Sequence, residues 1–311
     1  MNNFILTTYF LTDYLSEFYI EEVLLMTMFF QVAIDGLLTG MLYGLVASGL
    51  SLIWGVMDVI NFAHGEFLMV AMYVSYWLGF LMHVDPIVSW IASGAFCFLL
   101  GVLTYKLIIR HCLGGPPLSA LLATFGLAMI IKNVCLNRFS PNFRLLTGTL
   151  LDGKKIMLGN LILPLPQLVT AIFALVVVFI VYYIIKRTRL GWAIQATAMD
   201  KEAAELMGIK TDWIFAFVFG LGGACVGIAG GLMPSYLAVH PEVGGLFGLI
   251  AFIAVAMGGF GSIPGALLAA IFIGLIEAFG GFYVAPVFKY VVVFGLYLVV
   301  VMFKPKGLFG W

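Results

Sequence analysis

Apolar runs separated by turn or charge signals organise this chain. They fall at roughly Phe29–Trp54, Phe67–Met82, Ile87–Ile109, Leu118–Leu136, Leu165–Ile185, Trp213–Met233, Leu246–Phe260, Gly265–Tyr283 and Val287–Phe303. A helix needs about 20 residues to cross about 30 Å of hydrocarbon. Most runs reach that length, whereas Phe67–Met82 and Leu246–Phe260 are short. The pattern predicts an all-α, polytopic integral membrane protein with about eight or nine transmembrane helices, including two broken or re-entrant segments.

Composition strengthens that picture. Of 311 residues, 63% are hydrophobic and 10% charged, and mean hydropathy is +1.14. A soluble domain carries about 25% charged residues, so this chain could not cover a water-facing surface. The formal net charge is zero, which implies no bulk attraction to nucleic acid. Cys97, Cys112, Cys135 and Cys225 form no CxxC pair and read as packing residues. The four histidines show no metal-ligand spacing.

The basic residues set the orientation. None occurs before Lys106; they then cluster at Lys106/Arg110, from Lys186 to Lys210, and at Lys304/Lys306. The positive-inside rule places those clusters in the cytoplasm. The loop from Asn137 to Pro164, despite its basic residues, falls outside by parity. The N-terminus is therefore expected outside and the C-terminus inside. Residues 1–28 carry Asp13, Glu17, Glu21 and Glu22 and lack the basic n-region of a signal peptide. Either an acidic external extension or a true start at Met26 or Met28 accounts for them. Residues 29–311 read as a single transmembrane domain.

Two stretches interrupt the apolar runs. Gly55 to Glu66 puts Asp58, Asn61, His64 and Glu66, with Gly65, between two apolar segments. Polar groups and irregular backbone at membrane depth usually face a cavity or the protein interior. The second stretch is Gly258-Gly-Phe-Gly-Ser-Ile-Pro-Gly265, which includes Gly259, Gly261 and Ser262 and is too rich in glycine and proline for a regular helix. One interruption in each half is a pointer to a transport path; the plain alternative is a pair of cytoplasmic turns. His64 and Glu66 stand two residues apart, so on a helix they would not share a face. Glu277 is a further deep carboxylate, expected to bond a neighbouring helix.

Between about 190 and 210 lies the longest cytoplasmic loop. Within it Asp200 is a good N-cap, Glu202 suits a first turn and Gly208 suits a C-cap. These enclose a helix of about two turns, too short to persist alone in water. Ala203, Leu206 and Met207 share one face, and Ala203 and Ala204 are small enough for close approach to a partner.

Glu202-Ala-Ala-Glu-Leu-Met-Gly208 resembles the Glu-Ala-Ala-x-x-x-Gly loop through which permeases of ABC importers engage their ATPase. The maltose-type motif continues with a distal Ile-x-Leu-Pro; here Val218, Phe219, Gly220 and Leu221 stand instead. From about Phe29 to Gly310 the chain resembles a branched-chain amino-acid permease of the LivH type, in the LIV-I hydrophobic amino-acid uptake family. The stretches that carry the likeness are Val59 to Glu66, Asp200 to Ile209, Ala256 to Ala266 and Pro305 to Gly310.

The resemblance implies a permease subunit in a prokaryotic inner membrane rather than an enzyme. It implies a homologous second permease, two ABC ATPases and a periplasmic or lipid-tethered substrate-binding protein. No Gly-x-x-x-x-Gly-Lys-Ser/Thr phosphate loop occurs, so no cofactor is expected on this chain and ATP use falls to partner subunits. Close relatives carrying urea or short amides are the alternative within the class. An ion-coupled carrier using Asp35, Glu66 and Glu277 is the alternative from another class, and an energy-independent channel a third.

Overall fold

The computed structural model describes residues 2–305 and 307–309, except the side chains of 2–23 and of Pro117. The side chains of Asp13, Glu17, Glu21 and Glu22, together with Lys306 and Gly310, lie outside the described residues.

The helices follow in the order α1 (Asn2–Met57), α2 (His64–Met82) and α3 (Pro86–Thr104), which continues through a π-helical turn (Tyr105–Ile109) into α4 (Arg110–Cys112). Next come α5 (Pro117–Phe139), an antiparallel hairpin of β1 (Lys155–Leu158) and β2 (Leu161–Pro164), and α6 (Leu165–Arg187). The chain ends with α7 (Arg189–Met199), α8 (Lys201–Leu206), α9 (Thr211–Leu232), α10 (Val243–Gly258), α11 (Ile263–Tyr283) and α12 (Lys289–Phe303). The protein is an all-α, polytopic membrane protein.

Seven helical stretches among the described residues are long and apolar enough to cross a membrane, with α10 and α12 shorter. Two lengths differ from the hydropathy pattern. The run beginning at Phe67 reaches 19 residues because His64, Gly65 and Glu66 are the first turn of α2, not part of the interruption. Conversely, α12 holds only 15 residues, about 22 Å of helix, because Val287 and Phe288 precede its start.

Contacts sort the helix ends onto two faces. Gln31, midway along α1, donates to the Ile162 carbonyl of β2 at 2.8 Å. The far end of α1 lies beside α6 and α7, with Asp58, Lys186 and Gln195 around one cavity. Here these are called the hairpin face and the α7–α8 face. α11 runs antiparallel to α1, from Gly261 beside Gly55 at the α7–α8 face back toward Gly36.

Glycine makes these helix pairs close. A Cβ on Gly40 would lie 2.6 Å from the Ile271 Cα, and one on Gly36 2.9 Å from the Gly274 carbonyl oxygen. The pairing of α3 with α9 uses Gly94, Gly101, Gly223 and Gly227 in the same way. Lipid tails are as apolar as leucine, so helices in a bilayer gain from such close approach more than from apolar bulk. The π-helical turn and the start of α4 are then fixed to the start of α9: Arg110 Nε lies 3.1 Å from Asp212, and the Tyr105 hydroxyl donates to the same carboxylate at 2.9 Å.

Candidate functional site

The first interruption is shorter and deeper than its polar residues suggest. Only Asp58 to Ala63 leave the helix, and Asp58 takes φ +53° to turn the chain. The Asn61 Oδ1 accepts from the Ala63 N–H at 3.1 Å, while the Asn61 carbonyl accepts from the His64 N–H at 3.2 Å. That local pairing starts α2. Thr124 of α5 braces the turn from outside, accepting from the Phe62 N–H at 3.3 Å and lying 3.1 Å from the Ile60 carbonyl.

His64 Nε2 donates to the Val46 carbonyl at 2.9 Å. Val46 stands 11 residues before Met57, so α2 begins about 16 Å back along α1, at 1.5 Å per residue. The chain therefore re-enters before α2 starts. Since a carbonyl only accepts, Nε2 carries the proton, and Nδ1 has no hydrogen-bond partner. As the two-residue spacing implies, His64 and Glu66 diverge: His64 faces α1 and Glu66 faces a cavity beside α10.

The second half contains a matching start that the apolar pattern did not single out. Between α9 and α10 the chain runs through Met233 to Glu242, and the Val239 and Arg144 backbones pair across to the hairpin-face loop. α10 then begins against α2. A Cβ on Gly244 would lie 2.7 Å from the Gly65 carbonyl oxygen and 2.8 Å from Glu66 Oε2; one on Gly65 would strike the Gly244 carbonyl. From this contact the helices part, α2 ending at the hairpin face beside Leu146 and α10 running to the opposite face. Pro234, and Pro241 between the polar residues His240 and Glu242, were the sequence signal for this break.

The second interruption, Gly258 to Ser262, lines a different cavity from Asn61. It forms the turn between α10 and α11 at the α7–α8 face, with Gly259 at φ +99° and Gly261 at φ +80°. Gly261 touches Gly55, and Ser262 caps α11 by accepting from the Gly265 N–H at 3.2 Å. Pro264 and Gly265, the last two residues of that stretch, are in the first turn of α11. The turn lines the cavity with Asp58 and Lys186, whereas Asn61 and Glu66 line a separate one. Glycine density marked a tight reversal here, not a mid-depth break.

The deep cavity holds about 340 Å³ between α2, α5 and α10. Asn61 and Glu66 are 2% and 6% exposed, and Asn61 Nδ2 and Glu66 Oε2 have no hydrogen-bond partner. Lys132 stands at its rim, 3.4 Å from Glu242. Phe62, Phe125 and Phe252 supply apolar wall. Spacing gave no sign of Lys132 or Thr124, because both are brought in by α5 from far along the chain. Glu277 is separate, accepting from Tyr43 at 2.8 Å and from Lys289 at 2.7 Å. Among the described residues, no group of His, Cys, Asp or Glu could hold a metal ion.

The segment after α6 is two helices rather than a loop. Thr188 caps α7, accepting from the Gly191 N–H at 3.1 Å, and Asp200 caps α8, accepting from the Ala203 N–H at 3.0 Å. Gly208 takes φ +84° just after α8, as its expected capping role requires. Ala203, Leu206 and Met207 face outward, Leu206 and Met207 being 89% and 82% exposed. Ala204, expected to approach the partner closely, is instead buried against the protein's own helices, because the next residue on a helix turns by about 100°. Glu202 is exposed in the first turn of α8.

Comparison with known proteins gives the wider context. BraD, a high-affinity branched-chain amino acid transport system permease protein of Pseudomonas aeruginosa, is 32% identical over 295 residues, covering 91% of this chain and 96% of that protein. The protein of the same description from Salmonella typhimurium, LivH, is 30% identical with the same coverage. A probable LivH of Methanocaldococcus jannaschii is 29% identical over 252 residues, 78% of each chain. Among solved structures, PsaBC from Streptococcus pneumoniae aligns at TM-score 0.47 and 13% identity over 88% of this chain and 91% of that one, which is too loose to carry an argument. The family described as the permease component of the branched-chain amino acid transport system matches residues 32–302, and this chain belongs to that family.

Proposed function

We propose that this chain is a permease subunit of an ATP-driven ABC importer for branched-chain amino acids, in the inner membrane of a prokaryote. A homologous second permease completes the path, two ABC ATPases dock beneath, and a periplasmic or lipid-tethered binding protein delivers substrate. ATP is bound by the partners and not by this chain. The N-terminus is outside, and the α7–α8 face, with the C-terminus, is cytoplasmic. The branched-chain amino acid permeases that this chain resembles supply the substrate class.

One observation carries the reading. Three large apolar side chains, Met199, Leu206 and Met207, stand more than 80% exposed on a capped two-helix projection. A helix as short as α8 needs a partner surface to be stable, and on the cytoplasmic side that partner is the ATPase. An ion-coupled carrier gives this face no role, and of its three deep carboxylates Glu277 is engaged by Tyr43 and Lys289 and Asp35 accepts from Gln31 at 3.2 Å, which leaves Glu66 alone with an unpaired oxygen.

Ala203→Trp tests it. The variant should insert normally and lose both co-purifying ATPase and ATP-driven leucine uptake. Ala204→Trp should instead impair the permease itself, since Ala204 packs inward. Stoichiometric ATPase and full uptake in Ala203→Trp would dismiss α8 as the docking element.

A further inference from the structure

The deep cavity has the chemistry of a zwitterion site. It lies where α2 and α10 begin against each other, so two helix N-termini share one depth. A helix N-terminus carries partial positive charge and unsatisfied N–H groups, and no side chain caps the first turn of α10. That half of the cavity suits an anion. Helix ends alone would not define a site, but two buried side chains with unpaired atoms also line it. Asn61 Nδ2 is a donor without an acceptor, and Glu66 Oε2 an acceptor without a donor. Leaving such groups unpaired away from water costs free energy, and one ligand bearing both an anion and a cation would satisfy both. Phe62, Phe125 and Phe252 leave an apolar region for a third, uncharged part of that ligand.

We propose that this cavity binds the transported amino acid itself during passage: Glu66 holds its ammonium group, Asn61 and the first turn of α10 hold its carboxylate, and the phenylalanines take its aliphatic side chain. Lys132 at the rim strengthens the carboxylate end and is otherwise paired with Glu242. The site deepens the import reading and rests on it for the identity of the substrate. Gly244 and Gly65 are needed because any Cβ at their contact would separate the two helix starts or displace the Glu66 carboxylate. An uncharged ligand such as urea would leave the ionic demand of Glu66 unmet.

Two measurements on the assembled transporter test the site. The first is independent of ATP. Met129 lines the cavity and is half exposed, so Met129→Cys is made in a Cys112→Ser background, the other three cysteines being buried. Leucine should slow maleimide labelling of Cys at 129, whereas urea, acetamide and 2-hydroxyisocaproate, which lacks the ammonium group, should not. The second is uptake into proteoliposomes. Glu66→Gln should lower leucine uptake by about tenfold or more, as expected for loss of a charge-assisted hydrogen bond, while the ATPases still co-purify. Lys132→Gln, at the rim, should lower it less.

Absence of leucine protection, with Glu66→Gln transporting at the wild-type rate, would overturn the site. Protection by urea equal to that by leucine would overturn its zwitterion chemistry. Leucine protection in a complex that shows no ATP-driven uptake would leave the site standing and refute the import reading.

Discussion

Glu277 is 7% exposed among apolar helices, yet each of its oxygens is engaged, one by Tyr43 and one by Lys289. Breaking a buried ion pair from one side leaves an uncompensated charge, which typically costs about 3–5 kcal/mol. Lys289 is one-third exposed, so screening reduces that cost, and Lys289→Met is expected to destabilise the protein by roughly 1–3 kcal/mol. Replacing both residues, as Lys289→Met with Glu277→Leu, should recover most of the loss. Thermal unfolding in detergent of the two single variants and the double one checks this; a double variant as unstable as the sum would mean the pair is not coupled. The sequence placed Glu277 on a helix and expected a neighbouring-helix bond, which spacing within one run can support. It could not name Lys289 or Tyr43, since those partners come from α12 and α1. Ala204 shows the same limit: residues 203 and 204 are chemically identical, and only the packing of α8 on its own protein separates them.

At the level of the element, the capping signals were the most legible feature. Asp200 and Gly208 bound α8 as their chemistry demands, because N-caps and left-handed C-caps are decided by local backbone geometry. Nothing lies within 4 Å of a Cβ built at Gly208, so a substitution there acts through the backbone alone. Left-handed backbone costs an L-residue about 1–2 kcal/mol, less for asparagine. Gly208→Val should therefore fray α8 and reduce ATPase co-purification, while Gly208→Asn retains it; equal retention by both variants would show that this conformation is not needed for docking. The breaks were less legible. Glycine and proline density drew attention to Gly258–Gly265, a tight turn near a membrane face, while the start of α10 went unremarked in the gap between two apolar runs. Density reports conformational freedom; depth is a tertiary property, set here by Gly65 meeting Gly244. α7 escaped for a related reason: at 11 residues it is too short to read as a span, and Gly191 sits in its first turn, packed too tightly against Ile184 and Ile185 for any side chain.

Across the whole molecule, Gln31 and Leu308 lie on opposite faces. Gln31 of α1 is bound to the hairpin, and the Leu308 N–H donates to the Met257 carbonyl at 2.7 Å, beside the turn on the other face. An odd number of crossings follows, which fits nine rather than eight of the spans drawn from hydropathy. The positive-inside rule then predicts which face is cytoplasmic. Thr197, in the basic segment, is a poor reporter because it is only 3% exposed; Met199, 88% exposed, is a better one. In a Cys112→Ser background, Thr147→Cys on the hairpin-face loop should react with an impermeant maleimide in intact cells. Met199→Cys should react only after permeabilisation. Reaction of Met199→Cys alone in intact cells would invert the proposed orientation.

The glycine face that α1 presents to α11 sets a timetable for the protein's birth. α1 leaves the ribosome well before α11, yet Gly36, Gly40 and Gly44 are covered by Gly274, Ile271 and Leu267. Those residues are made about 230 positions later, which at about 5–20 residues per second is roughly ten to fifty seconds. During that interval the groove of α1 faces lipid or an insertion chaperone. A nascent chain stalled before Ile263 would display it indefinitely, giving membrane quality control a ready mark by which to recognise unfinished copies.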